Sequence, residues 1–251
     1  MNKNIWITGA SSGIGKALAI KFASEGWGVA VSARRENLLQ ELCESNSNIH
    51  SFALNVENLE NSKKIFENIL KKLNHIDLCV FATGIYDPNT EKEINIKKMQ
   101  EVMNINFFGT VNCIKAVEKN FKEKKEGHIS IVSSVAGYGG LPNSSGYGPS
   151  KAALINLAES LYFDFKKYNV RVSLISPGFI KTPMTDKNKF KMPFIKSAEF
   201  AANKIYKGLI ERNAFEITFP KELTLIMKIF KIMPYKIYFY LLSKLTKIQK
   251  I

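Results

Sequence analysis

The chain has only three cysteines, Cys43, Cys79 and Cys113, far apart and without a CxxC spacing. That excludes a disulfide framework and a zinc site of paired thiolates, and makes a reducing cytoplasm the expected compartment. The three histidines, His50, His75 and His128, are as scattered, so no metal is expected. Arginine is scarce as well: four against thirty-two lysines, in a chain of net charge +14. Arginine is the usual reader of base edges and no nucleic-acid module is present, so nucleic acid is not expected as a partner. The lysine excess reads as a general compositional bias, one that would suit an acidic carrier or an anionic lipid surface. No run of about 18 uncharged apolar residues occurs, which argues against a membrane-spanning helix. Met1-Asn2-Lys3-Asn4 leads straight into an apolar strand, with no signal-peptide core. Neither a repeat nor a low-complexity linker divides the 251 residues, and 45% hydrophobic content suffices for one substantial core.

What is present is an alternation. Short apolar runs at 5–8, 29–33, 49–54, 78–82, 128–132 and 171–175 read as strands. Helical patterns fall between them near 14–25, 36–44, 58–73, 97–120 and 147–167. Buried strands alternating with helices predict an α/β, doubly wound Rossmann fold. The sheet should be predominantly parallel, with about seven strands flanked by helices. Residues 1–219 form the expected nucleotide-binding and catalytic domain. Within it, 179–196 reads as an irregular flap containing Pro183 and Pro193. Ser197 then caps a helix running to about Arg212, and residues 215–219 form the last strand.

The first strand ends in Thr8-Gly9-Ala10-Ser11-Ser12-Gly13-Ile14-Gly15, which opens the first helix. Glycines here permit a sharp turn, close approach of backbone to a pyrophosphate, and tight helix–sheet packing. The helix N-terminus adds free N–H groups and a partial positive charge. Gly9, Ser11, Ser12, Gly13, Ile14 and Gly15 are therefore expected to hold a dinucleotide. The second strand ends in Ala33-Arg34-Arg35 rather than in an acid for a ribose 2′-hydroxyl. Two guanidiniums can clamp a 2′-phosphate, so NADP(H) is favoured over NAD(H), although Glu36 next door could neutralise part of that charge.

Tyr147-Gly148-Pro149-Ser150-Lys151 puts a phenol and an ammonium four apart, on one helix face. A lysine charge beside a phenol favours the phenolate and brings it toward use as an acid and base near neutral pH. Spacing alone is weak: nine tyrosines and thirty-two lysines give roughly one such pair by chance. The chain has three, the others being Tyr162/Lys166 and Tyr240/Lys244.

In these motifs and their order, residues 3–185 resemble the short-chain dehydrogenase/reductase family, in its compact single-domain branch. That family carries a serine thirteen residues before its tyrosine. Ser134 holds that place before Tyr147, whereas Pro149 and Met227 stand there for the other two tyrosines. The resemblance implies that Ser134, in Ile131-Val132-Ser133-Ser134-Val135-Ala136-Gly137, hydrogen-bonds the substrate oxygen. Asn106, in Asn106-Phe107-Phe108-Gly109-Thr110, matches the fourth catalytic member, which holds a water linking Lys151 to solvent. Pro177-Gly178-Phe179-Ile180-Lys181-Thr182 matches the nicotinamide-side segment, so Pro177, Gly178, Ile180 and Thr182 join the expected cofactor contacts. The family's Asn-Ala-Gly is replaced by Ala82-Thr83-Gly84, which puts a sheet-bracing hydrogen bond in doubt. Its Asp-Val is Asn55-Val56, which alters the adenine side. Ala82, Gly84, Asn55 and Val56 remain cofactor candidates. The implied activity is interconversion of a ketone and a secondary alcohol, and the implied assembly a homodimer or homotetramer.

Residues 220–251 are read as a basic amphipathic helical tail rather than a domain. Leu223, Ile226, Met227, Phe230 and Met233 recur at helical spacing, Pro234 interrupts, and Tyr238, Leu241, Leu242 and Leu245 resume the pattern. Two roles suit it equally: peripheral contact through 221–250 with a membrane's inner face, or capping of a protein core. The flap carries Phe179, Met184, Phe190, Met192, Pro193 and Phe194, which points to a small apolar or lipid-like carbonyl substrate. A 3-oxoacyl chain on an acidic carrier is the nearest competitor. A non-catalytic NADP-binding sensor or scaffold is the rival of another class, although such a protein would be expected to lack the tyrosine or lysine.

Overall fold

The structure, a computed structural model, describes residues 3–88 and 93–246. Seven strands form one parallel sheet in the order β3-β2-β1-β4-β5-β6-β7. They are β1 (Asn4–Thr8), β2 (Gly28–Ala33), β3 (Ile49–Ala53), β4 (Leu78–Phe81), β5 (His128–Val132), β6 (Arg171–Pro177) and β7 (Glu216–Phe219). The expected fold is the one observed, with strand ends within two residues of those read from the apolar runs.

Strand β1 shows why the sheet is covered on both faces. Side chains alternate along a strand, so Trp6 points one way and Ile5 and Ile7 the other. Trp6 packs on Phe66 and Phe81, with ring centroids 5.8 and 5.6 Å away, in a cluster that also holds Phe121 and Phe165. Helices α3 (Leu59–Leu73), α5 (Gly109–Lys124) and α6 (Tyr147–Lys166) supply that layer. Ile5 and Ile7 join Leu18, Phe22, Leu39 and Ile205 on the opposite face. These come from α1 (Gly13–Ser24), α2 (Glu36–Glu44) and α7 (Ala198–Tyr206). The chain leaves β1 toward β2 on one side and later pairs β1 with β4 on the other. That reversal opens a crevice at the carboxyl ends of the strands, where this architecture binds its ligands.

The helix expected near 97–120 is in two parts. Helix α4 (Ile96–Met103) passes through a π-helical turn, Asn104–Phe108, into α5. An inserted residue of this kind widens the helix locally and re-aims a side chain, here at Asn106. The flap has no regular element beyond a 3₁₀ turn at Thr185–Lys187. Its neck is closed where Lys181 N–H donates to Lys196 O (2.8 Å) and Lys196 N–H donates to Phe179 O (3.1 Å). Ser197 caps α7 by accepting from Phe200 N–H at 3.1 Å; the helix then ends in a second π-turn, Lys207–Glu211.

The tail is helical, as α8 (Lys221–Ile232) and α9 (Tyr235–Thr246) with Pro234 between them. Leu223 and Met227 enter the same core cluster as Val135, Tyr138 and Phe179. Core capping is thus observed for one face of α8. Lys247 and Lys250 lie outside the described residues. Among the described residues, no helix is long and apolar enough to cross a membrane.

Candidate active site

Every residue named above for the cofactor or the reaction, apart from Asn106, lines one cleft of about 550 Å³. The phosphate turn forms its floor, and the fit there is backbone against backbone. Gly9, at φ +70°, lies so close to the carbonyl of Ala82 that a Cβ would sit 2.8 Å from it. A Cβ on Gly15 would come within 2.4 Å of Gly9 O. No side chain fits at Gly9 or Gly15, so the backbone of the turn and the start of α1 face the cleft, where an anion would meet them. At one end, Arg35 donates to the Ser11 and Ser12 hydroxyls at 2.9 and 3.1 Å, which suspends its guanidinium over the turn. Arg34 also lines the cleft. Neither arginine is ion-paired with Glu36, which opens α2, so the cationic end keeps its charge. The shape, the barred side chains and the cationic end fit a dinucleotide.

Asn55 is engaged in its own turn, accepting from Glu57 N–H at 3.2 Å. Thr182 rests on the phosphate turn, its methyl 3.0 Å from where a Gly13 Cβ would lie. Ile180 is buried beside it and accepts from the Thr185 hydroxyl at 2.7 Å. Ala82, in place of the family's asparagine, brings no side-chain hydrogen bond to the sheet.

The other end of the cleft holds the titratable groups. Tyr147 and Lys151 open α6, one turn apart, with the Lys151 ammonium 5.6 Å from the phenol ring centre. Lys151 is almost wholly buried and donates to Val132 O at 3.0 Å. Burial opposes its charge and brings it down to about 8. Ser134 lies two residues beyond β5 and caps a 3₁₀ turn; its oxygen accepts from Ala136 N–H at 3.2 Å. Its hydroxyl reaches Pro177 O only at 3.5 Å, a weak bond that a better acceptor in the cleft would replace.

Asn106 lies behind this group and is fully buried. Its carboxamide oxygen accepts from Ile85 N–H (2.7 Å), and its nitrogen donates to Ile85 O and to the Ser150 hydroxyl (both 3.0 Å). The π-turn carries this side chain to the segment after β4, where it ties that segment to α6. Ser150 in turn donates to Tyr147 O at 2.7 Å. Sequence reasoning passed over Ser150, although it lies inside the Tyr147–Lys151 motif. It also missed Tyr86, which lines the cleft with its ring centre 4.8 Å from that of Tyr147. Only its place two residues beyond Gly84 could have hinted at this.

Comparison with known proteins agrees with this geometry. Residues 3–192 match the short chain dehydrogenase family. An uncharacterised oxidoreductase of Myxococcus xanthus is 31% identical over 232 residues, 91% of each chain. A 3-oxoacyl-acyl-carrier-protein reductase, FabG, of Thermotoga maritima is 34% identical over 185 residues, 72% of this chain and 75% of that one. The structure of ElxO with NADP bound superposes with a TM-score of 0.77 at 28% identity, covering 87% of this chain and 97% of that one. Matched to the family model over three quarters of its length and in fold over 87% of it, the chain belongs to the short-chain dehydrogenases and is an oxidoreductase of that family.

Proposed function

We propose that this enzyme interconverts an apolar or lipid-like ketone and its secondary alcohol with NADP(H), using Tyr147 as the proton donor and acceptor. One observation carries the reading. The buried Lys151 ammonium lies against the Tyr147 phenol in the same cleft as Ser134 and the glycine turn. Gly9, Ser11, Ser12, Gly13, Ile14 and Gly15 would hold the pyrophosphate, and Arg34 and Arg35 the 2′-phosphate. Asn55, Val56, Ala82 and Gly84 would line the adenosine side, and Pro177, Gly178, Ile180 and Thr182 the nicotinamide side. Bound there, the cofactor supplies or takes up the hydride.

The protein's own part is to orient the carbonyl and move one proton. The Ser134 hydroxyl hydrogen-bonds the substrate oxygen and favours the charge that develops there. The Tyr147 phenol gives its proton to that oxygen, and Lys151 stabilises the phenolate left behind. Asn106 and Ser150 fix the positions of Ile85 and of the start of α6.

NADP(H) over NAD(H) is supported by Arg35, held over the turn by two hydroxyls, and by ElxO, whose structure contains NADP. An apolar substrate is supported by Phe179 packed on Phe190, centroids 5.7 Å apart, within a flap that leaves Phe190 and Phe194 exposed. The similarity to FabG favours a second reading, in which the ketone is a 3-oxoacyl chain on a carrier. Assembly into a homodimer or homotetramer is supported by Phe163 on α6, 72% exposed, and by Phe108 at the start of α5.

The test is NADPH oxidation by purified enzyme against ketones of graded chain length and 3-oxoacyl thioesters, repeated with NADH. The expected result is turnover that improves with chain length and a lower KM for NADPH. Equal KM values would remove the cofactor preference, and turnover of carrier-bound 3-oxoacyl chains alone would select the second reading.

A further inference from the structure

The positive charge of the chain is not evenly spread. Residues 179–196 hold five lysines and one acid, and residues 221–250 seven lysines and one acid. These 48 residues carry ten of the fourteen net charges, and in both segments described residues lie in the cleft lining or against it. Met184 and Lys187 of the flap line it directly. Leu223 of α8 packs behind Gly178, whose Cβ would lie 2.7 Å from the leucine methyl. Tyr238 of α9 donates to Gly140 O, just past the turn that begins at Ser134.

Helix α8 is apolar on two sides. Leu223, Met227 and Phe230 are buried. Leu225, Ile229 and Ile232, spaced i, i+4 and i+7, form a second stripe that is exposed. Ile232 is 83% and Tyr235, just beyond Pro234, 77% exposed. Helical spacing places Lys221, Lys228 and Lys231 on the flank between the two stripes. On α9, Tyr235 and Phe239 stack at 5.7 Å, and the Lys244 ammonium lies 4.4 Å over the Tyr240 ring. An acidic protein would satisfy the lysines and leave the aliphatic stripe in water. Anionic headgroups over an acyl boundary accommodate both, with tyrosines at headgroup depth.

We propose that α8 and α9 dock the enzyme on the surface of an anionic bilayer, lying in its interface without crossing it. Tyr238 on Gly140, and Lys228 paired with the Glu216 that also bonds Tyr138, fix the docked helices to the loop after β5 and to β7.

The test is co-sedimentation of full-length protein with vesicles of phosphatidylcholine alone or mixed with phosphatidylglycerol, at low and high salt. Capture by the mixed vesicles only, weakened by salt, is the expected result. Lys231→Glu, Lys236→Glu and Lys244→Glu together should reduce partitioning by about a hundredfold. Ile232→Ser with Tyr235→Ser should reduce it by about tenfold. Both variants should keep the wild-type melting temperature, since none of these side chains is buried. Equal capture by both vesicle types, no capture, or unchanged capture of either variant would overturn the proposal. So would an oligomer that the Ile232/Tyr235 variant dissociates, which assigns the face to a second copy. The readout is capture rather than turnover, so the proposal stands or falls independently of the reaction.

Discussion

The two walls of the cleft are built from different materials. The cofactor wall is backbone: Gly9 against Ala82, Gly15 against Gly9, and arginine held by two serine hydroxyls. The substrate side is bounded by side chains: Met184 lines it, Phe179 packs on Phe190, and Phe179, Leu223 and Met227 belong to the apolar cluster behind it. Backbone contacts at van der Waals limits leave few alternatives, so one ligand shape is specified. Aromatic and methionine side chains can repack, so that side tolerates more shapes than the glycine turn does.

Four measurements would sharpen or break this contrast. Replacing Tyr147 by Phe removes the proton donor where the walls meet and should lower kcat at least about a hundredfold. NADPH affinity should hold within a factor of about three, because the phosphate wall is untouched; near-normal turnover would break the assignment. On the cofactor wall, Arg35→Ser should raise the KM for NADPH by about tenfold to a hundredfold, the worth of a charged hydrogen bond, and leave that for NADH unchanged. A parallel rise for both cofactors would mean that Arg35 only braces the turn.

The third measurement is a pH profile. Lys151, brought down to about 8 by burial, is charged below that value and neutral above it. Loss of the ammonium leaves the phenolate without its partner, so reduction should fall as pH rises through about 8. Lys151→Arg retains charge to far higher pH and should move that limb upward in whatever activity remains. A limb at the same pH in both proteins would assign it to another group. On the substrate wall, Phe190→Ala should raise KM for a long-chain ketone by roughly fivefold, the worth of a half-buried ring, with little change for a short one. Equal changes for both would mean that the flap closes over the cofactor instead.

Sequence patterns disclosed the backbone wall well, because its signals are local. A glycine turn, an Arg-Arg pair and a Tyr–Lys spacing each occupy fewer than ten consecutive residues. Non-local relations were harder to read. Tyr86 meets Tyr147 across sixty-one residues, and nothing in either neighbourhood announces the contact. The π-turn at Asn104–Phe108 adds one residue to a helix whose apolar period looks continuous on both sides. In α8 the spacing of Leu223, Ile226, Met227, Phe230 and Met233 located the buried side approximately. The fold buries Thr224 and leaves Ile226 more than a third exposed. A helix apolar on two sides offers two possible axes, and only packing against Val135, Tyr138 and Phe179 chooses between them.

That same packing has a practical consequence for anyone shortening this protein. Cutting the chain after Pro220 would not merely detach an appendage. It would strip Leu223 and Met227 from a shared apolar cluster, free Glu216 from Lys228, and release Gly140 from its hydroxyl. A trimmed enzyme that turned over slowly would therefore report a slackened substrate wall, whatever the missing helices do at a surface.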